Sequence, residues 1–219
     1  RLSRGLGDVY KRQLLFISSL LMAIYSYTQV GLIVTHALMA VFPLLTVLLS
    51  GLFLEEEITR IKVVAVAVGF LGVIIIINPI NLEFSLVSVL PLISAVTFAI
   101  YAVLTRKVAS TDNTETSFFW VSLVSAIAIT IPSPLFYKPI QLSDLYFLIL
   151  LCTFSLVGHF LLTNAYRHAE ASVLQPFSYF HLFFASIVGI IFFQDPLTIS
   201  TVAGGGLIVF GGILISRKS

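Results

Sequence analysis

Apolar residues in this chain fall into eight long blocks, each about the length that crosses the hydrocarbon core of a bilayer. They run Leu14–Ile33, Val34–Leu54, Val63–Ile77, Leu86–Thr105, Phe118–Tyr137, Leu145–Asn164, Val173–Phe193 and Ile199–Ser216. In hydrocarbon every backbone N–H and C=O must find its partner inside the chain, so blocks of this kind read as helices. An outer-membrane barrel needs short alternating segments, and these do not alternate. The fold expected is an all-α polytopic membrane protein with eight transmembrane helices. Composition supports this. Of 219 residues, 58% are hydrophobic and 10% are charged, with mean hydropathy +1.08, whereas a soluble domain carries roughly 25% charged residues. A cytosolic globular protein, a nucleic-acid binder and a disordered chain are thereby excluded, and the lipid bilayer is the partner that composition implies. The lone Cys152 excludes a disulfide framework and a cysteine-based metal site.

The first two blocks are nearly continuous and need a tight turn around Gly31–Thr35. Elsewhere the punctuation is Glu55–Lys62, Asn78-Pro79, Arg106–Ser117, Lys138–Asp144, Tyr166–Ser172 and Gln194–Ser200. Taken in alternation, one set of loops holds Arg60, Lys62, Arg106, Lys107, Arg167, Arg217 and Lys218, and the other only Lys138. Basic residues favour the cytoplasmic side. This places the Glu55–Lys62, Arg106–Ser117 and Tyr166–Ser172 loops and the C-terminus in the cytoplasm, in a multi-pass protein of the cytoplasmic (inner) membrane.

Ser3–Gln13 reads SRGLGDVYKRQ and matches one reading frame of a transposon sequencing adapter. Arg1–Gln13 is therefore read as a non-native segment and set aside before fold reasoning. With Arg1, Arg4, Lys11, Arg12 and Asp8 gone, the formal charge of +2 becomes −1. The native sequence then begins at Leu14, inside an apolar block, as expected of a fragment.

A shift of 139 residues brings two stretches into register. Ser26 meets Ala165, Glu56 meets Asp195, Ile58 meets Leu197, Thr59 meets Thr198, Val63 meets Val202 and Gly72 meets Gly211. Each copy reads as two helices, a short acidic loop ending in Thr, and a glycine-containing apolar helix. With the Glu56 loop inside and the Asp195 loop outside, the copies face opposite ways. Inverted repeats of this kind characterise secondary transporters.

These residues carry a family resemblance. Tyr27–Thr59, with Pro43 and Glu56-Glu57-Ile58-Thr59, is similar to the closing half of an EamA-type repeat of the drug/metabolite transporter superfamily. So is Ala165–Ser216, with Ala165-Tyr166-Arg167, Ala169-Glu170-Ala171-Ser172, Pro176-Phe177-Ser178-Tyr179, Asp195-Pro196 and Gly211-Gly212. The resemblance implies a ten-helix protein made of two inverted five-helix repeats. Residues 14–80 would then hold the last three helices of the first repeat and residues 81–219 the whole second repeat. Two helices would be missing, and the chain as written would be inactive. The family's Gly-Glu after the fourth helix is Glu55-Glu56 here and Gln194-Asp195 in the second copy, which implies turns of a different shape. The second copy also resembles the branch that contains S-adenosylmethionine uptake carriers, which assigns no substrate.

Polar residues within the bilayer are expensive and usually face the protein interior or a wet cavity. Four stripes recur at helical spacing. They are Cys152, Ser155, His159, Thr163 and Tyr166; Gln175, Ser178, Tyr179 and Ser186; Ser18, Met22, Tyr25 and Gln29; and Ser94, Thr97, Tyr101 and Thr105. Small hydroxyls also glue membrane helices together, and packing is the favoured role for most Ser and Thr. The candidate lining of a substrate cavity is Tyr25, Gln29, Tyr101, His159, Thr163, Gln175, Ser178 and Tyr179. His159 is the only candidate carrier of a coupling proton, His181 reads as a packing residue, and His36 and His168 read as interfacial. Trp120 and Tyr137 read as interface anchors, and the Gly204-Gly205-Gly206 run with Gly211-Gly212 as a place of close helix approach.

The histidines have no metal-ligand spacing, and no motif for a nucleophile, a metal pair or a phosphate loop is present. No metal, cofactor or catalytic residue is expected, and the chain does not read as an enzyme. The expected function is a secondary transporter of a small organic metabolite or drug-like solute, working by alternating access. The alternative is a non-transporting membrane scaffold or a channel-like protein.

Overall fold

The computed structural model describes residues 2–55, 59–77, 86–109, 113–136 and 138–216. Glu56 and Ile58 of the repeat, the Asn78-Pro79 punctuation, Tyr137, Arg217 and Lys218 lie outside the described residues. Among those described, every regular element is helical.

The first helix, α1, covers Leu2–Val30 and ends at Gly31, whose φ of 83° is open to a residue without a Cβ. Helices α2 (Leu32–Met39) and α3 (Phe42–Leu54) follow, end to end. Pro43 explains the break between them. It has no N–H for the Met39 carbonyl and its ring crowds that carbonyl, so α2 stops there. Helix α4 is Arg60–Ile77. A 3₁₀ turn, Leu86–Val89, leads into α5 (Leu90–Val108), whose Pro91 sits in the first turn where no N–H is needed. Helix α6 (Thr114–Thr130) starts from Asn113, whose side-chain oxygen accepts from the Thr116 amide at 2.8 Å. Helix α7 is Leu142–His168. The next segment is α8 (Ala171–Leu174), a 3₁₀ turn at Gln175–Ser178 that contains Pro176, α9 (Tyr179–Val188) and a π-type turn at Gly189–Phe193. Helix α10, Ile199–Ser216, closes the chain.

Five stretches are long and apolar enough to cross a membrane: Tyr10–Val30, Leu32–Leu54, Val87–Val108, Thr114–Leu135 and Leu142–His168. Phe180–Phe193 and Ile199–Leu214 are shorter apolar stretches. The molecule is an all-α polytopic membrane protein.

The 139-residue offset is visible in the backbone. Shifted by it, α4 becomes Ile199–Ser216, which is α10. Helix α2 becomes the segment made by α8 and its 3₁₀ turn, and the end of α3 at Leu54 becomes Phe193. The residue after each is left-handed: Glu55 at φ 58° and Gln194 at φ 55°. Both residues take the left-handed conformation that glycine adopts without cost, so each turn carries the backbone strain of a side chain there.

Helices α4 and α10 form the tightest crossing. A Cβ on Gly72 would stand against the Gly204 carbonyl oxygen, and one on Gly204 against that of Gly72. At the other end, a Cβ on Gly211 would lie 2.6 Å from the Ala65 carbonyl oxygen. Position 72 meets 204 while 65 meets 211, so the two helices run antiparallel. Residues 204 and 211 thus make the close approach expected of the glycines, whereas 206 meets nothing within 4 Å. The main core gathers around this pair from α2, α3, α4, α5 and α10, with Leu38, Leu44, Val47, Ala65, Ala95 and Ile208 buried.

Candidate functional site

Helices α5 and α7 hold a column of polar groups. At its upper level the Tyr101 hydroxyl and His159 Nε2 are 3.0 Å apart. Tyr101 is only 1% exposed, so this bond is what satisfies a hydroxyl that burial would otherwise leave unpaired. Phe16 of α1 lies against both rings, 5.1 Å from Tyr101 and 4.7 Å from His159 between centroids. Phe98 flanks the tyrosine at 5.6 Å and Phe118 the histidine at 6.1 Å. One turn along α7, buried Thr163 donates back to the His159 carbonyl at 2.8 Å. Next comes Tyr166, buried with Ala102 and Ala171. Gln175 Nε2 donates to the Tyr166 hydroxyl at 3.4 Å and to the Ala171 carbonyl at 3.1 Å. Its Oε1 is buried and has no hydrogen-bond partner among the described residues. Arg106 closes the column, Nη1 donating to the Tyr166 carbonyl at 2.7 Å.

Four of the eight candidates, Tyr101, His159, Thr163 and Gln175, therefore stand along one seam. Ser178 is half-buried one turn beyond Gln175, and the side chain of Tyr179 lies outside the described part. Tyr25 and Gln29 stand apart on α1. Tyr25 is 53% exposed, and Gln29 is exposed with its Nε2 donating to Thr28 Oγ1 at 3.2 Å. At the start of the α7 stripe, Cys152 and Ser155 are exposed. The α5 stripe divides as the chemistry of hydroxyls suggests. Ser94 exchanges hydrogen bonds with Ser19 of α1, each Oγ donating to the other's carbonyl at 2.8 and 2.9 Å, while Thr97 and Thr105 bond within their own helix.

Two features escaped the sequence reading. The aromatic side chains of Phe16, Phe98 and Phe118 sit in apolar runs, where nothing separates a ring beside a polar group from one facing lipid. His36, expected at an interface, is only 6% exposed, because α9 of the other copy covers it. His181, read as a packing residue, supplies that cover, with its ring 4.4 Å from His36.

A cavity of about 650 Å³ opens elsewhere, between α9 and α10, and contains none of the eight candidates. Phe180, Phe183, Val202, Gly205 and Gly206 are among its lining residues, and Phe180, Phe183 and Val202 are exposed. Its size alone does not make it the solute site. The lining is apolar and faces outward, and it lacks the convergent polar groups that orient a ligand. The Tyr101–Gln175 column has those groups.

A second contact joins α2 to the segment that follows the π-type turn. Asp195 Oδ2 accepts from the amides of Leu32 at 2.6 Å and Ile33 at 3.0 Å. A carboxylate is favoured at a helix N-terminus, where unpaired N–H groups and the helix dipole converge. Here the cap for α2 comes from the other copy.

Fold and site together define an all-α polytopic membrane protein in which α4 and α10 cross antiparallel. Residues 86–217 match the EamA-like transporter family, and the chain belongs to that family. Its relatives include the pseudopaline exporter CntI of Pseudomonas aeruginosa, 29% identical over 195 residues, covering 88% of this chain and 69% of the relative. The riboflavin transporter of Brucella anthropi is 29% identical over 201 residues, covering 89% and 71%. The S-adenosylmethionine uptake transporter of Rickettsia bellii is 26% identical over 168 residues, covering 76% and 57%. The protein is thus a membrane transporter by family.

Proposed function

We propose that the chain is the greater part of a secondary transporter that moves a small organic solute across the cytoplasmic membrane by alternating access, with its C-terminus in the cytoplasm. The observation that carries this reading is the antiparallel crossing of α4 and α10. Two equivalent helices that meet face to face through glycine give the halves a shared axis about which to rock. The candidate solute site is the seam of Tyr101, His159, Thr163 and Gln175, extended by Ser178 and Tyr179, with Tyr25 and Gln29 entering from α1 when the halves move. The unpaired Gln175 Oε1 offers an acceptor to a donor group of the solute, and the rings around His159 suit a flat or cationic one. Riboflavin and S-adenosylmethionine, named for the relatives, are the first two probes.

In domain terms, residues 14–80 are the last three helices of the first repeat, residues 81–219 are the second repeat, and Arg1–Gln13 is not native. The fully buried Gln13 amide supports the last point, since neither its oxygen nor its nitrogen has a hydrogen-bond partner among the described residues.

The test is flux in proteoliposomes that carry the complete reading frame recovered from genomic DNA. Saturable, solute-selective uptake or exchange is expected, falling about fivefold or more in His159→Gln and Tyr179→Phe, as losing a hydrogen bond of about 1 kcal/mol implies. Unchanged flux in both variants removes the site. Non-saturable conductance overturns the carrier reading in favour of a channel.

A further inference from the structure

We infer that Tyr27, His36 and His181 form a gate that closes one end of the solute path, as Tyr166 and Gln175 close the other; the path itself rests on the transport reading above. The offset of 139 turns Tyr27 into Tyr166 and His36 into Gln175, and the contact is kept along with the positions. The ring of Tyr27 lies against that of His36, with centroids 5.1 Å apart, and Gln175 Nε2 donates to the Tyr166 hydroxyl at 3.4 Å. The packing follows the same rule. Helix α2 lies against α9 at the first cluster, and α3 lies against α8 and its 3₁₀ turn at the second.

The two clusters stand beyond the Tyr101–His159 pair in opposite directions. Phe16 of α1 packs on both rings of that pair. Later in α1, Ser19 bonds to Ser94, which precedes Tyr101, so α1 and α5 run antiparallel. Tyr101 meets His159 and Arg106 meets Tyr166, so α5 and α7 run parallel. From Phe16 to Tyr27 is about 16 Å and three turns of α1, which keeps both on one face. From His159 to Tyr166 is about 10 Å and two turns of α7, again on one face. The polar column therefore has a tyrosine cluster at each end.

The clusters close by different chemistry. Tyr166 is tied by hydrogen bonds, from Gln175 to its hydroxyl and from Arg106 to its carbonyl. At the other end the His36 and His181 rings meet edge to face, with centroids 4.4 Å apart. Among the described residues, neither imidazole nor the Tyr27 hydroxyl makes a side-chain hydrogen bond. Ring contacts of this kind part without breaking a hydrogen bond within the protein, and the polar edges stay available to a passing solute. His36 is buried and His181 exposed, so the histidine of α9 is the part that swings clear. The same two segments are clamped again by Asp195, one turn from His36, where its carboxylate packs on Gly31 and Gly189 and accepts from the first amides of α2.

The test uses the protein expressed from the complete reading frame, with Cys152→Ser and a reporter thiol at Thr97→Cys. Position 97 lies on the Tyr101 face of α5, one turn towards the Tyr27 end. In nanodiscs, its reaction with a charged methanethiosulfonate should quicken about tenfold in His181→Ala, the change in opening that loss of one ring contact implies. Phe183→Ala removes a larger ring from the opposite side of α9, where it lines the apolar cavity, and should leave the rate unchanged. In a second protein without the reporter, His36→Cys and His181→Cys are bridged with dibromobimane. Saturable uptake of riboflavin or S-adenosylmethionine should then fall about tenfold or more. No acceleration in His181→Ala, equal acceleration in Phe183→Ala, failure of the two thiols to bridge, or unchanged uptake after bridging each overturns the inference. Acceleration confined to His181→Ala, with no saturable flux from the unbridged protein, would keep a gate on an aqueous path and remove the transport reading.

Discussion

The two copies share a backbone plan but not a burial pattern. In the first, the opening turns of α3 are enclosed: Leu44 is 0% exposed, and Phe42 packs edge-on against Phe98 of α5, with ring centroids 4.9 Å apart. At the equivalent place in the second, Phe183 is 59% exposed, and among the described residues no helix covers α9 as α5 covers α3. The difference shows that element boundaries and turn conformations are set within each copy, because they repeat with different side chains. What is buried, by contrast, is decided by which neighbouring helix lies alongside. Gly69 illustrates this. A Cβ there would collide with Leu44 in the first copy, whereas the equivalent position in the second is Ile208, a full-sized side chain that is itself buried.

The largest effect should come from breaking the axis where the copies meet. Gly72→Leu puts a side chain against the backbone carbonyl of Gly204, which cannot give way as a flexible side chain could. Overpacking of this kind costs about 3 kcal/mol or abolishes folding. Gly206→Leu, two residues from Gly204 on the opposite face of α10 and with nothing within 4 Å, should change stability by less than about 0.5 kcal/mol. Size-exclusion profiles and unfolding in mixed micelles would read both; equal loss would show that the crossing is not a special contact.

A smaller effect is expected at the cross-copy cap. Asp195→Ala leaves the Leu32 and Ile33 amides without their acceptor and should cost about 1–2 kcal/mol. Hydrogen exchange should quicken at these two amides first. Unchanged protection there would mean that the first copy satisfies its own helix start.

The smallest expected change runs the other way. Glu55→Gly and Gln194→Gly place glycine where φ is already positive, at 58° and 55°, and each should stabilise by up to about 1 kcal/mol. Because the two turns are equivalent, the gains should be similar. A gain at one and a loss at the other would separate the copies at the level of backbone conformation.

Much of the fold was legible in the sequence. Block length and lack of alternation gave the helices, Gly31 gave the first turn, and the offset of 139 that aligned Gly72 with Gly211 proved to be the offset of the helices themselves. The break before α3 was not foreseen, although Pro43 was in view, because an apolar run of 23 residues hides a proline that does not change its polarity. Of the candidate site, the Tyr101, His159, Thr163 and Gln175 positions were readable because polar groups at helical spacing stand out against apolar neighbours. The partner of His36 was not readable. It comes from the other copy, 145 positions along the chain, and no local pattern records such a meeting.

The Asp195 cap also has a consequence for how the protein is made. Its carboxylate lies 163 positions beyond the Leu32 amide that it satisfies. As the polypeptide leaves the ribosome, the start of α2 enters the membrane long before its acceptor has been synthesised. The acceptor that these two amides have in the finished fold is therefore supplied only once the Gln194–Ser200 loop has been made.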